Sequence, residues 1–384
     1  MKKILYLMEY PIDLPGGGQM STQTLCEGLC LNGRFEPVVC CPELLSRSKA
    51  DYPFRIVTYA SDENRELSRI SRIKNFLSRI GDFKRIIDAE QPDIIHVSMS
   101  ESLISYGALR LTGHFKNIPF VYTDRGLKCG YRKHSLTCIL ATLKYAAGLL
   151  TTTEYNKKLW SCEKLSCPIT VIPNTISDAF DEYDPAMRDI KRSEAGIQKD
   201  DCVIGFAGRI SEEKDWGSVP KIVKALKDAG LDFKVALVLA VYEERDELIK
   251  KDLIDGIATA IGRENLVYMQ DLSQKEISDY YYMVDIFVMT SSFESFGKAA
   301  VEAMSRKCAV LSTRAGGLPE VIGKEEDLYD KDNLSAFSKR ASELLYSPQL
   351  MDEEREYFYN RYKRLYTRDV NVSRHEELYS RVLS

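Results

Sequence analysis

Short apolar runs rich in β-branched residues alternate with helical patterns along almost the whole chain, and this alternation restricts the fold more than any other feature. KKILYLM, EPVVCC, FRIVTYA, DIIHVSM, IPFVYTD, GLLTTT and ITVIPN form a first series, with helical segments between most of them. Strands separated by helices pair in parallel, and a parallel sheet is covered by helices on both faces. After ITVIPNTISDAF comes DEYDPAMRDIKRSEAGIQKDD, a charged, weakly periodic stretch that reads as the crossing between domains. A second series then runs through CVIGFAGR, DFKVALVLA, NLVYMQ, DIFVMTS, AVLSTR and DLYD. A chain of 384 residues exceeds what one hydrophobic core usually organises. The expected architecture is therefore α/β, with two Rossmann-like doubly wound domains over 1–178 and 179–362 and a C-terminal helix over 363–384 that returns to the first. A ligand should sit in the crevice between the domains, at the carboxyl ends of the strands.

Charge and composition exclude several classes of partner. With 44% hydrophobic and 29% charged residues and a net charge of −4, the chain has no basic field of the kind nucleic acid requires. Its ten cysteines show no paired C-x-x-C spacing and read as reduced thiols of a cytoplasmic protein. The opening MKKILYLMEYP has two lysines and a short apolar run, but no small-residue cleavage site, so it reads as a buried strand and not a signal peptide. Nothing approaches the roughly 20 apolar residues of a spanning helix. Between Asp62 and Glu90, Leu67, Ile70, Ile73, Leu77 and Ile80 form an apolar face beside Arg65, Arg69, Arg72 and Arg79. Such a helix either packs with a solvated arginine edge or lies on an anionic membrane surface at the inner face of the cell membrane.

The chemistry concentrates in Ser291–Glu302, SSFESFGKAAVE, which follows the strand-like VDIFVMT. The strand ends, the backbone turns at Gly297, and a helix begins whose unpaired N–H groups favour an anion. Glu294 lies in the turn and Glu302 about two turns into the helix. A carboxylate accepts two hydrogen bonds side by side, which suits a vicinal diol such as a ribose. Together these features describe a seat for a sugar nucleotide; the plainer alternative is an amphipathic helix with solvated glutamates. At the end of the second domain's first strand, GFAGRISEEKDW, Arg209 and Lys214 can converge on one anion and neutralise charge that grows as a glycosidic bond breaks. Near the N-terminus PGGGQM supplies a glycine turn that is either a plain turn or a binding loop, and it is neither a dinucleotide fingerprint nor a phosphate loop with its lysine.

These strings together resemble a known family. G-R-x4-K from Gly208 to Lys214, E-x7-E from Glu294 to Glu302, AGGLPE at Ala315–Glu320 and VIPN at Val171–Asn174 are similar, in order, to the motifs of family-4 retaining glycosyltransferases (glycosyltransferase group 1) of the GT-B fold. The resemblance covers most of the chain. It implies transfer of a sugar from a nucleotide-diphosphate donor, a UDP-sugar above all, to an acceptor hydroxyl on a glycan or lipid-linked acceptor in bacterial-type polysaccharide biosynthesis, with retention at the anomeric carbon and without a metal or other cofactor. The first domain would serve the acceptor and the second the nucleotide sugar. By the same resemblance Arg209 and Lys214 grip the diphosphate, Glu302 the ribose and Glu294 the donor sugar. Phe296, Gly297 and Lys298 offer backbone contacts, and Gly17 with Gly18 closes over the diphosphate.

The residues agree with metal independence, since no Asp-x-Asp ends a strand, no cysteine set clusters and only four histidines are present. One departure stands out. Many relatives place a histidine just past the strand IPFVYT, beneath the donor sugar, where this chain has Asp124 followed by Arg125. Asp124 is expected to accept from a sugar hydroxyl or steady positive charge, and Arg125 to face an acceptor phosphate. His96 reads as structural, and His134 as a residue that could meet the acceptor. The same departure motivates a rival reading: a non-catalytic GT-B-like partner or chaperone subunit of a glycosyltransferase complex.

Overall fold

The computed structural model describes residues 1–60 and 69–384. The chain divides into two compact units, Met1–Thr175 with Arg368–Ser384, and Ile176–Thr367. In the first, β1 (Lys2–Leu7), β2 (Phe35–Pro42), β3 (Arg55–Tyr59), β4 (Ile94–Val97), β5 (Phe120–Asp124), β6 (Gly148–Thr151) and β7 (Ile169–Val171) form one sheet in the order β3-β2-β1-β4-β5-β6-β7. All its pairings are parallel. In the second, β8 (Val203–Arg209), β9 (Lys234–Ala240), β10 (Leu266–Gln270), β11 (Ile286–Met289), β12 (Ala309–Thr313) and β13 (Leu328–Tyr329) form another parallel sheet in the order β10-β9-β8-β11-β12-β13.

Helices cover both faces of each sheet, which explains why the strands read as unbroken apolar runs. Side chains alternate across a strand, so Ile4 and Tyr6 go to one face with Val39, Cys41 and Leu25, while Leu5 and Leu7 go to the other with Val38, Cys40 and Phe83. The strand order reverses between β1 and β4 and between β8 and β11. At such a reversal the flanking loops diverge and leave room at the carboxyl ends of the strands.

The helix Arg368–Leu383 belongs to the first unit. It lies against the helix Gly17–Asn32 at Gly28, where a Cβ would come within 2.4 Å of Val372 Cγ2. Its Tyr379 hydroxyl meets the Tyr6 hydroxyl at 2.8 Å and His96 Nδ1 at 2.6 Å, and His96 Nε2 meets Thr123 Oγ1 at 2.7 Å. Asn371 Nδ2 donates to the Pro173 carbonyl at 2.6 Å. His96 therefore works inside the core, tying the last helix to β4 and β5.

Of the basic amphipathic pattern, Arg65 and Leu67 lie outside the described residues, as do the side chains of Arg69, Ile70 and Arg72. In the helix Arg69–Glu90 the side chains of Ile73 and Leu77 are exposed. Arg79 is not a free surface cation, since both its Nη atoms donate to Glu101 Oε2 at 3.2 Å. Among the described residues no helix is long and apolar enough to cross a membrane, and all ten cysteines are free.

Burial holds both His96 and His375 below the ordinary imidazole range, His375 at about 4. The unfolded chain takes up protons near pH 6.5 that the folded chain refuses until much lower pH, so the attachment of the last helix weakens as pH falls through that window. Hydrogen exchange of the Arg368–Leu383 amides should report an opening free energy lower at pH 4.5 than at pH 7 by about 2 kcal/mol. His375→Gln should flatten that dependence, and an unchanged slope would contradict the assignment.

Candidate functional site

Around the carboxyl edge of the second sheet, the loops after β8 and β11 are sewn together. Ser292 N donates to the Glu213 carbonyl at 2.8 Å, Thr290 Oγ1 to the Lys214 carbonyl at 2.6 Å, and Thr313 Oγ1 to the Ser291 carbonyl at 2.6 Å. From the other side Gly317 N donates to the Glu294 carbonyl at 3.0 Å. The buried Phe296 ring packs edge-on against Tyr366 with centroids 5.6 Å apart, so only the backbone of this residue is available to a ligand. Gly297 then turns with φ 94° and ψ 59° to start the helix Lys298–Ser305. A side chain there would be strained twice, by the left-handed backbone and by Leu318 Cδ2, 2.5 Å from an ideal Cβ.

This fixed loop brings together residues far apart in sequence. Lys214 Nζ contacts Glu294 Oε2 at 2.7 Å, a partly buried ion pair with side-chain exposures of 22% and 17%. Arg209, at the end of β8, is exposed, and its carbonyl accepts from Trp216 Nε1 at 3.0 Å. The Glu213 carboxyl is held below its usual range by its own backbone N–H and the Ser211 hydroxyl, and then by the positive charge of Arg209 and Lys214. Glu302 is partly buried and accepts from the Tyr281 hydroxyl at 3.2 Å. Burial raises its carboxyl above the usual range, against the opposing pull of Lys298, Tyr281 and Lys214. The Ser291 hydroxyl, buried without a partner, lines a small cavity with Lys214, Thr290 and Trp216.

The second unit thus gathers Arg209, Lys214, Glu294, Phe296, Gly297, Lys298 and Glu302 around one edge. Three cations, two carboxylates and an amide-lined corner there can hold a group carrying both oxyanions and hydroxyls. Glu213 and Tyr281 were missed in the sequence. Glu213 stands in the G-R-x4-K string beside the lysine, whereas Tyr281, in a run of three tyrosines, gives no sign of which ring turns inward.

In the first unit, Gly17 and Gly18 form the opening turn of the helix Gly17–Asn32, which no side chain caps. A Cβ on Gly18 would lie 3.0 Å from Met99 Cε. Glu9, just past β1, is a further group that sequence reasoning missed. Its carboxylate accepts from Ser102 N at 3.0 Å, and burial, with the repulsion of Glu101, raises it to about 7. His134 is exposed near the start of the helix Lys133–Leu143.

Asp124 is placed differently from the expectation that it meets a sugar hydroxyl. It has no exposed surface, and four donors already occupy it. Oδ2 accepts from Trp160 Nε1 at 2.6 Å and Asn156 Nδ2 at 2.9 Å, and Oδ1 accepts from the Tyr131 hydroxyl at 2.6 Å and Gly126 N at 3.2 Å. A carboxylate so enclosed organises the loop after β5 and has no lone pair turned outward for a substrate. Among the described residues no group of three His, Cys, Asp or Glu side chains is placed to hold a metal ion.

Comparisons with known proteins agree with both units. Residues 187–364 match the family described as glycosyl transferases group 1, and residues 15–180 match glycosyltransferase family 4. A 2-deoxystreptamine glucosyltransferase of Streptomyces kanamyceticus is 31% identical over 185 residues, 47% of this chain and 46% of that protein, so the match spans under half of that relative. Sucrose-phosphate synthase from Thermosynechococcus elongatus superposes with a TM-score of 0.81 at 16% identity, covering 100% of this chain and 99% of the other. Anabaena HepE in complex with UDP and glucose superposes with a TM-score of 0.78 at 14% identity, covering 99% and 100%. At these identities the structural likeness is one of fold, which is the GT-B arrangement of two parallel-sheet Rossmann-like domains.

The enclosure of Asp124 yields a graded expectation. Asp124→Ala leaves four donors without an acceptor and should cost about 3 kcal/mol or more of unfolding free energy. Asp124→Asn should cost less, since the Tyr131 hydroxyl can turn to accept from the new amide. Denaturant titration followed by tryptophan fluorescence, with Trp160 as the local reporter, measures both; equal stability of all three proteins would overturn the anchoring role.

Proposed function

The chain belongs to the glycosyltransferases of group 1 and family 4, and we propose that it transfers a sugar from a nucleotide-diphosphate donor to an acceptor hydroxyl with retention and without a metal. The observation that carries this reading is the Lys214–Glu294 pair, 2.7 Å apart at the edge of a sheet where Glu302 and the Gly297 corner also stand. Before the donor arrives, Glu294 neutralises Lys214. An entering diphosphate competes for the lysine, and Glu294, released in part, is free to accept from hydroxyls of the sugar. One event thus loads the cation with the leaving group and turns the carboxylate toward the sugar.

As the glycosidic C–O bond breaks, negative charge grows on the bridging oxygen of the departing diphosphate. Lys214 and Arg209 neutralise it, and the amides that open the helix Lys298–Ser305 add fixed dipoles in a partly dry setting. Glu302 accepts from the two ribose hydroxyls, and its raised protonation range returns toward normal once donors surround it. No protein carboxylate is assigned as a nucleophile. The departing phosphate takes the acceptor proton as the acceptor oxygen attacks, which keeps the charge balanced without a metal.

A UDP-sugar is the preferred donor, supported by the likeness to HepE, whose structure holds UDP and glucose. The acceptor is a hydroxyl of a glycan or lipid-linked sugar in polysaccharide biosynthesis. The enclosure of Asp124 favours one competing reading, a non-catalytic partner subunit, because the side chain at the position of the family histidine is then withdrawn from any ligand. Donor turnover by the purified chain separates the two.

A screen of UDP-, GDP- and ADP-sugars should raise the melting temperature with one base only. Glu302→Ala should weaken nucleotide binding by about tenfold or more, which corresponds to losing about 1.4 kcal/mol. Lys214→Ala should lower kcat by about 10²–10³ with an intact fold. Donor turnover unchanged in both variants would rule out this site.

A further inference from the structure

Two buried carboxylates of the second unit, Asp327 and Glu354, take no part in the site described above. Their side chains have exposures of 0% and 2%. One guanidinium serves both: Arg340, on the helix Leu334–Tyr346, donates from Nε to Asp327 Oδ1 at 2.9 Å and from Nη2 to Glu354 Oε1 at 2.7 Å. Lys324 Nζ donates to the same Glu354 Oε1 at 2.5 Å. All three bonds therefore fall on one oxygen of each carboxylate. The other two oxygens, Asp327 Oδ2 and Glu354 Oε2, are buried with no partner.

Two carboxylates drawn to one guanidinium repel each other, and an ionised oxygen buried without a donor is costly. The neighbouring charges do not cure this. Lys324 also meets Glu326 at 3.8 Å and lies 4.6 Å from the centre of the Tyr357 ring, and Arg340 also meets Glu343 at 3.6 Å, so both cations are shared with further carboxylates. One proton on the pair removes a negative charge and supplies the donor that the bare oxygens lack. Burial and the charge of Glu354 raise the Asp327 carboxyl to about 7 against the pull of Arg340 and Lys324, in keeping with such a proton. It belongs to the pair and not to either residue.

The cluster joins three elements. Asp327 precedes β13, Arg340 lies on the helix Leu334–Tyr346, and Glu354 on the helix Pro348–Leu365. The last of these also backs the helix Leu318–Ile322, since its Arg361 donates from Nε to the Val321 carbonyl at 2.7 Å and from Nη2 to the Glu320 carbonyl at 2.6 Å. We propose that Asp327 and Glu354 hold one proton between them, and that this proton clasps the helices Leu334–Tyr346 and Pro348–Leu365 to the segment before β13, making a pH-sensitive brace within the second unit. The unfolded chain releases the proton near pH 4 and the folded chain keeps it to about 7, so the stabilisation is full below the lower value and is lost as pH rises through the higher. His96 and His375 weaken the first unit as pH falls, so the two units respond to pH in opposite directions. The brace needs no donor or acceptor and stands apart from the transfer reading.

Hydrogen exchange of the amides of these two helices in the full chain, corrected for intrinsic rates, tests the brace. The opening constant of the wild type should rise about tenfold between about pH 6 and about pH 8. Asp327→Asn carries the missing donor on a neutral group, so it should flatten the rise and open less readily than the wild type at the higher pH, although it removes a counter-ion of Arg340. Glu354→Gln removes the repulsion and should move the rise to lower pH, leaving little of it in that window. The infrared difference between wild type and Asp327→Asn should contain a protonated-carboxyl C=O band at about pH 6 that is gone by about pH 8.5. Glu9, also raised to about 7, is common to both proteins and cancels in that difference. A rise in Asp327→Asn as steep as in the wild type, or a difference spectrum without that band, would overturn the shared proton.

Discussion

Charges withdrawn from water need partners, and three groups meet that demand in different ways. Asp124 is satisfied four times over and has no exposed surface, so it serves as an anchor. Lys214 and Glu294 satisfy each other at the sheet edge while keeping some exposure, so each can exchange its partner for a ligand group. Arg125 is tied to the neutral acceptors Asn174 Oδ1 and Thr22 Oγ1 inside the first unit. The degree of satisfaction, more than the residue type, separates what holds the fold from what waits for a substrate.

Much of the fold could be read from the sequence because parallel strands covered on both faces leave continuous apolar runs such as ILYL and VIGF. The Gly297 corner was equally readable, since a strand, a glycine and a helix in succession admit few conformations. The role of Asp124 was not. Its partners Tyr131, Asn156 and Trp160 come from later elements, and the only local hint is that Asn156 and Trp160, four apart, share one face of the helix Glu154–Ser161. Position in a motif suggested a catalytic aspartate, whereas packing made a structural one.

The arginine stripe shows the converse error of reading a surface from periodicity. Arg79 falls on the expected face, yet Glu101, on the neighbouring helix Ser100–Leu111, takes it as an ion-pair partner. Similarly, Glu302 stands where its motif puts it, but the ring of Tyr281 that meets it comes from a helix whose three consecutive tyrosines gave no directional signal. Helical spacing fixes the face a residue occupies. It says nothing about which neighbouring element will cover that face.

The return of the helix Arg368–Leu383 to the first unit bears on how the protein is made. A ribosome delivers the N-terminal sheet early, then the whole second unit, and only afterwards the segment carrying Tyr379, whose hydroxyl completes the contacts of Tyr6 and His96. During synthesis the apolar flank of the Gly17–Asn32 helix must therefore wait uncovered while a later, self-contained unit folds. That delay exposes apolar surface to aggregation in the nascent chain, and it gives the helix Arg368–Leu383 the task of a late latch on the first unit.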